Sequence, residues 1–229
     1  MRRAGKTPSG AANKADKKQA THPPGLTLSA LHPPPPWVGT ALSRYVELWH
    51  GCLRSDLKSI RAGIDPTRGD PSTDFGRGFY TSTVRRQARH WAWKRYRDSL
   101  AAKRTADRPV VVRFRVPLDG LARLDPLHFV LGDYDEERFW SFVHHCRAST
   151  RTAVRTHGHP GRKPPDDWYD VVSGPVAAFW EQRVAMLGSD QFSFHTARAA
   201  RLLNRVVRSK DPDDFRAFLV RRRKRRNGS

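Results

Sequence analysis

Short apolar runs and helical stretches alternate irregularly between residues 41 and 208, and that irregularity constrains the fold more than any other feature. Strand-like patterns occur at Arg44–Trp49, Gly78–Ser82, Val110–Val116, Trp168–Val172 and Gln191–His195. A short helix over 55–62 is closed by Gly63. Thr83 caps a long helix in which Val84, Ala88, Trp91 and Leu100 recur at three- and four-residue steps. Further helices are predicted over Glu136–Cys146 and from Thr196 through Val207. Gly174-Pro175 reads as opening another helix. Asp211-Pro212-Asp213-Asp214 reads as opening the last one, with acids at its positive end. The regular strand–helix–strand spacing of a doubly wound sheet is missing, so the class is α+β.

The chain has 229 residues and a formal net charge of +21, from 43 Lys+Arg against 22 Asp+Glu. Seven Trp, eleven Phe and five Tyr exclude a wholly disordered chain. No run approaches the ~20 apolar residues of a spanning helix, and the basic start lacks the apolar region of a secretory signal. Two cysteines make no disulfide framework, which points to a reducing, cytoplasmic setting. The charge is uneven. Residues 1–40 hold six cations and one acid and read as a disordered, Pro-rich tail. Residues 41–208 form the folded domain. Residues 209–229 read as a helix and a basic tail ending in Arg221, Arg222, Arg223, Lys224, Arg225 and Arg226. That run is either a solvated tail or a nucleic-acid contact.

Several short matches carry nothing. Asp74-Phe75-Gly76 lacks the other kinase elements, and Gly76-Arg77-Gly78 lacks the third glycine of a dinucleotide fingerprint. His144-His145-Cys146 are adjacent on a helix and point apart, so no metal site is expected.

A larger constellation is informative. It comprises Glu47-Leu48-Trp49-His50-Gly51, the run Asp74 to Ser82, and Ala88 with Trp91. Together they resemble the core of the His-Tyr-Glu branch of the ADP-ribosyltransferase superfamily, which includes diphtheria toxin and the poly(ADP-ribose) polymerases. Trp168 to Ala177 and Asp190 to Thr196 narrow the resemblance to DUF3990, a bacterial family of unassigned function. The resemblance implies two small, mostly antiparallel sheets forming an NAD cleft with flanking helices. It implies NAD as co-substrate and no metal. His50 would bond a ribose hydroxyl, and Gly51 would offer its backbone to the nicotinamide amide, its missing side chain allowing close approach. Tyr80, Trp91 and the neighbouring Phe79 would hold the ring, and Gln191 would face the nicotinamide ribose.

Two positions depart from the branch. Ala88 stands where polymerases carry a serine, for which Ser82 or Thr81 could compensate. Gln191 stands where the branch has a catalytic glutamate, and an amide supplies neither a negative charge nor a base. Asp190 beside it should face the opposite way along a strand. The implied activity is mono-ADP-ribosyl transfer to a protein or nucleic acid, with NAD hydrolysis alongside. The role implied is that of a toxin or of an effector delivered into a target cell, with an antitoxin partner. The competing reading is an inactive transferase-like module that binds nucleic acid through its basic tails.

Overall fold

The computed structural model describes residues 44–102, 107–130, 136–148, 158–162 and 167–220. The chain divides after Pro33, and every described residue belongs to the second unit. The expected tail over 1–40 and the run Arg221–Arg226 lie outside the described residues.

Alternating apolar side chains make β1 (Tyr45–Leu53) and β3 (Pro109–Pro117) two full-length partners. They pair antiparallel from Tyr45 opposite Pro117 to Leu53 opposite Pro109. β7 (Phe215–Leu219) adds to the other side of β3. The second sheet has the order β2 (Phe79–Thr81), β6 (Val184–Phe194), β5 (Val171–Phe179), β4 (Pro126–His128). It is antiparallel except for the β4–β5 pair. Five helices complete the described part: α1 (Asp56–Ala62), α2 (Arg85–Ala101), α3 (Leu118–Ala122), α4 (Glu136–Ala148) and α5 (Ala197–Val207). The α+β class and the two small sheets match expectation.

Three apolar clusters set the layers. Leu48, Cys52, Val112 and Phe114 from the first sheet meet Phe192 and Phe194 from the second, and Leu203 of α5 fills the same cluster. The outer face of the second sheet packs on α4 through Phe75, Phe139, Trp140 and Val172. The outer face of the first sheet packs on α2 through Trp49, Val111, Ala88 and Ala92. The sheets also join directly, because Trp49 and Ser82 exchange both backbone hydrogen bonds, at 2.7 and 2.9 Å.

Two segments read as helix are strand. Residues after Gly174-Pro175 continue β5, with the register shifting between Gly174 and Val176. A proline inside a sheet is tolerated at such an irregularity, and the Pro175 carbonyl accepts a bond from the Gln191 side chain. The acids at 211–214 cap no helix. Arg113 Nη2 donates to the Asp213 carbonyl at 2.7 Å, and the Arg115 amide donates to the Asp214 carbonyl at 2.8 Å. These bonds turn the chain back into β7, so the last helix expected over 209–229 is replaced by a strand of the first sheet. β6 also begins seven residues before Gln191. Helix α3 and strand β4 were not legible in the pattern.

Gly51 decides how close α2 comes to β1. A Cβ there would stand 2.1 Å from the Ala88 carbonyl oxygen and 2.8 Å from the Ala92 nitrogen. Gly51→Ala is therefore expected to cost about 3 kcal/mol by overpacking a backbone that cannot yield. Chemical denaturation would check it, and an unchanged midpoint would show that α2 is free to shift.

Candidate functional site

β1 is an edge strand on the side away from β3. Trp49 points its N–H and C=O at Ser82, away from β3. Backbone groups two residues apart along a strand point the same way, so Gly51 presents its N–H and C=O on that edge too. Leu53, two further on, gives its N–H to Asp56 Oδ2 at 2.9 Å. Gly51 lies between these two anchors, its polar groups directed away from the ladder. The space where its side chain would stand is taken by α2. The glycine is thus required by the helix, and a ligand would reach it along the strand edge, not through the missing side chain.

His50 sits beside this edge. Its Nδ1 lies 2.6 Å from the Tyr80 carbonyl oxygen, and its ring stacks on Phe79 with centroids 4.4 Å apart. A carbonyl only accepts, so Nδ1 carries the hydrogen. Burial lowers the pKa to about 4, so the ring is neutral at pH 7 and Nε2 is an acceptor. Phe79 backs the imidazole and also meets Phe114 edge-on at 5.8 Å.

Tyr80 and Gln191 lie on the other face of the second sheet and converge on one turn. The Tyr80 hydroxyl donates to the Gly76 carbonyl at 2.7 Å and accepts the Phe75 amide at 3.0 Å. Its ring turns one face to Phe75, and burial pushes its pKa up. Gln191 is buried, and its Nε2 donates to Asp74 Oδ2 at 2.6 Å and to the Pro175 carbonyl at 3.0 Å. Both amide hydrogens are committed, so Oε1 is the atom left to receive a donor.

Asp74 is the residue that sequence reasoning passed over. It is 4% exposed and accepts Arg147 Nε at 2.8 Å, Arg147 Nη2, the Ala177 amide at 2.9 Å and Gln191. The available signal was its position at the head of the Asp74–Ser82 run. A glutamate at 191 would set two carboxylates against each other here, which gives a physical reason for the amide.

Asp190 faces the opposite way, as the strand period requires. It accepts Ser82 Oγ at 2.6 Å, the Thr83 amide at 2.8 Å and the Thr83 hydroxyl, while its carbonyl accepts Gln87 Nε2 at 2.6 Å. This carboxylate fastens the start of α2 to β6, whose N-cap residue, Val84, has no capping side chain. Ser82 Oγ also accepts the Val84 amide at 2.9 Å, and Thr81 Oγ1 donates to the Phe192 carbonyl at 3.3 Å. Both hydroxyl hydrogens are thus engaged within the protein, which leaves each oxygen only an acceptor for the role of the serine missing at Ala88.

Trp91 is 44% exposed, with Lys94 Nζ 5.5 Å from its ring centroid. Gln87, Trp91 and Arg95 follow one flank of α2 at four-residue steps. Gln87 is tied to Asp190, and Arg95 pairs with Asp56 at 3.2 Å. Trp91, between them, stands on the flank that borders the Gly51 edge. His50, Gly51 and Trp91 therefore share one neighbourhood, and Tyr80 and Gln191 share another. The Tyr80 backbone links the two.

A cavity of about 610 Å³ lies elsewhere, at the far end of β6, lined by Asp125, Arg162, Trp168, Asp170, His195 and Arg198. Two of its acids are paired, Asp125 with Arg162 and Asp170 with Arg198. Among the described residues no three His, Cys, Asp or Glu side chains could hold a metal ion together. His144 packs on Trp180, His145 lies 3.2 Å from the Gly158 carbonyl oxygen and Cys146 is buried.

A family model described as "Protein of unknown function (DUF3990)" matches residues 46–187, well over half the chain. The chain is a member of the DUF3990 family. The match runs from β1 into β6 and stops short of Gln191. No curated protein and no solved structure matches it.

Two outcomes follow from these contacts. Gln191→Glu should cost about 2 kcal/mol at neutral pH by opposing Asp74, and Asp74→Asn should cost about as much by removing the buried charge to which Arg147 Nε and Nη2 donate. The double variant should be more stable than the sum by at least about 1 kcal/mol, and a strictly additive cycle in chemical denaturation would dissolve the proposed opposition. Secondly, His50, His159 and His195 are neutral because burial lowers their pKa values to about 4, 2 and 4. Unfolded histidine binds its proton near pH 6.5, so acid favours the unfolded chain. Stability is fully present above pH 6.5 and should fall from there toward pH 4. A flat denaturation midpoint between pH 7 and 5 would contradict buried neutral imidazoles.

Proposed function

We propose that this chain is an NAD-consuming mono-ADP-ribosyltransferase that modifies a macromolecule. The observation that carries the reading is the open edge at Gly51. One backbone N–H and one C=O, side by side, match the carboxamide of nicotinamide, which has one acceptor and one donor group. A neutral imidazole and an exposed indole border the same edge. The site chemistry is consistent with this substrate. His50 Nε2 would accept a ribose hydroxyl. Trp91 would attract the cationic pyridinium of NAD through its π face and release the neutral product more readily.

Breaking the glycosidic bond builds positive charge on the ribose, as in glycoside hydrolysis. Gln191 would hold a ribose hydroxyl through Oε1. Asp74 fixes that orientation, because a carboxylate accepts only the NH₂ end. With no ionised group at position 191 to activate an incoming hydroxyl, transfer of single units or hydrolysis fits better than chain growth. A toxin or effector role with an antitoxin partner belongs to the same proposal and rests on the resemblance alone.

Calorimetric titration with NAD and with nicotinamide tests the reading, followed by transfer from labelled NAD in cell extract treated with nuclease or protease. Binding should fall at least about tenfold in His50→Ala. Tyr80→Ala should weaken it as well, by freeing the turn that supports Gln191. Absent binding by the unmodified chain, or equal binding by both variants, would sink the proposal.

A further inference from the structure

Helix α2 carries six Arg or Lys residues and one acid over seventeen positions. Its inner side is set by Ala88 and Ala92 against Gly51. At 100° per residue, Arg86, His90, Trp93 and Arg97 fall on the opposite side, with Arg89 flanking them. Arg86, Arg89, His90 and Arg97 are exposed. Trp93 is half-buried and meets Tyr96 edge-on at 5.4 Å, giving a braced aromatic surface among the guanidinium groups.

Lys94 pairs with Asp98 and Arg95 with Asp56, but Arg85, Arg86, Arg89 and Arg97 make no ion pair with a described residue. Arg85 and Arg86 stand in the first turn, where the helix dipole disfavours positive charge, and that turn has no acid of its own. Arg85 and Arg89 also repel at four-residue spacing. Such an arrangement lowers helix stability, so an external partner of opposite charge accounts for it better than packing does.

β7 adds one cation beside α2, Arg216, which pairs with Asp213 at 3.2 Å. Arg85 lies over both Trp49 and Phe218, with its guanidinium carbon 5.0 and 5.3 Å from the ring centroids, and Arg216 lies over Phe218 at 5.7 Å. Val220 packs into the same cluster as Ala88 and Ala92 and gives its amide to the Pro109 carbonyl at 3.0 Å.

We propose that the outer face of α2, with the edge of β7, binds single-stranded nucleic acid. Unpaired guanidinium groups supply phosphate contacts along one line. The Trp93–Tyr96 pair supplies a stacking surface that an unpaired base can use and a duplex cannot. An acidic protein surface would use the charge but not the aromatic pair. The inference goes beyond the transferase reading and stands without it. Were both to hold, the strand would lie across one helix, roughly 10 Å, from the Gly51 edge.

Fluorescence anisotropy of the full chain with a labelled uridine or thymidine 20-mer, across a salt series, tests this. Arg86→Gln/Arg89→Gln/Arg97→Gln should weaken binding about tenfold or more and make the log–log salt slope shallower by about 2. Trp93→Leu should weaken it about tenfold with the slope unchanged. Three results would overturn the proposal. One is no loss in either α2 variant while serine at all of 221–226 abolishes binding. Another is duplex bound as tightly as single strand. The third is displacement by polyglutamate as effective as by unlabelled oligonucleotide at equal charge. NAD titration of the same proteins keeps the two readings separate, since the α2 variants should bind NAD normally.

Discussion

The paired backbone bonds between Trp49 and Ser82 hold the two sheets in register, and the rest of the arrangement follows from that seam. They bring the end of β1 against the end of β2, so that His50 can reach the Tyr80 carbonyl. Asp190 reinforces the same junction from β6 by holding Ser82, Thr83 and, through its carbonyl, Gln87. A half-buried carboxylate with that many donors is well compensated, and it acts at the end of α2 where negative charge is favourable. The junction therefore sets the helix, the strand edge and the histidine together.

Helix α2 has two unlike sides, each explained by different physics. Ala88 and Ala92 are small because Gly51 draws the helix backbone into contact with the strand. The solvent side has no packing demand, and its composition runs against helix electrostatics. Position 191 shows the converse case. The amide that looks like a loss of chemistry on paper is the residue that a buried neighbouring carboxylate accepts as a partner. Asp74 and Gln191 are best read as one unit, with Arg147 neutralising the pair.

Much of the fold was legible. β1, β3 and the end of β6 announced themselves through alternation, and α2, α4 and α5 through three- and four-residue steps, because those patterns record which face is buried. The helix misassigned at Gly174-Pro175 reflects a real ambiguity, since a proline that often opens a helix also fits an irregular strand. The acids at 211–214 have the look of a helix start. Arg113 and Arg115, about a hundred residues earlier, convert them into the approach to β7. No local pattern carries that information. The same holds for the site: His50, Gly51 and Trp91 were readable as a group, whereas the Asp74–Gln191 contact spans 117 residues and leaves no periodic trace.

The amino-acid sequence by itself determined the α+β class, the main strands and helices, and the family to which the chain belongs, because each depends on local patterning or on motif order. Only the tertiary structure decided which backbone groups stay open, which side chains are already engaged and what each helix face meets. Gly51 is the clearest instance. Its identity suggested room for a ligand, but the helix backbone occupies that room. What the strand leaves available is its edge, because a strand paired on one side only keeps the other side's N–H and C=O groups free.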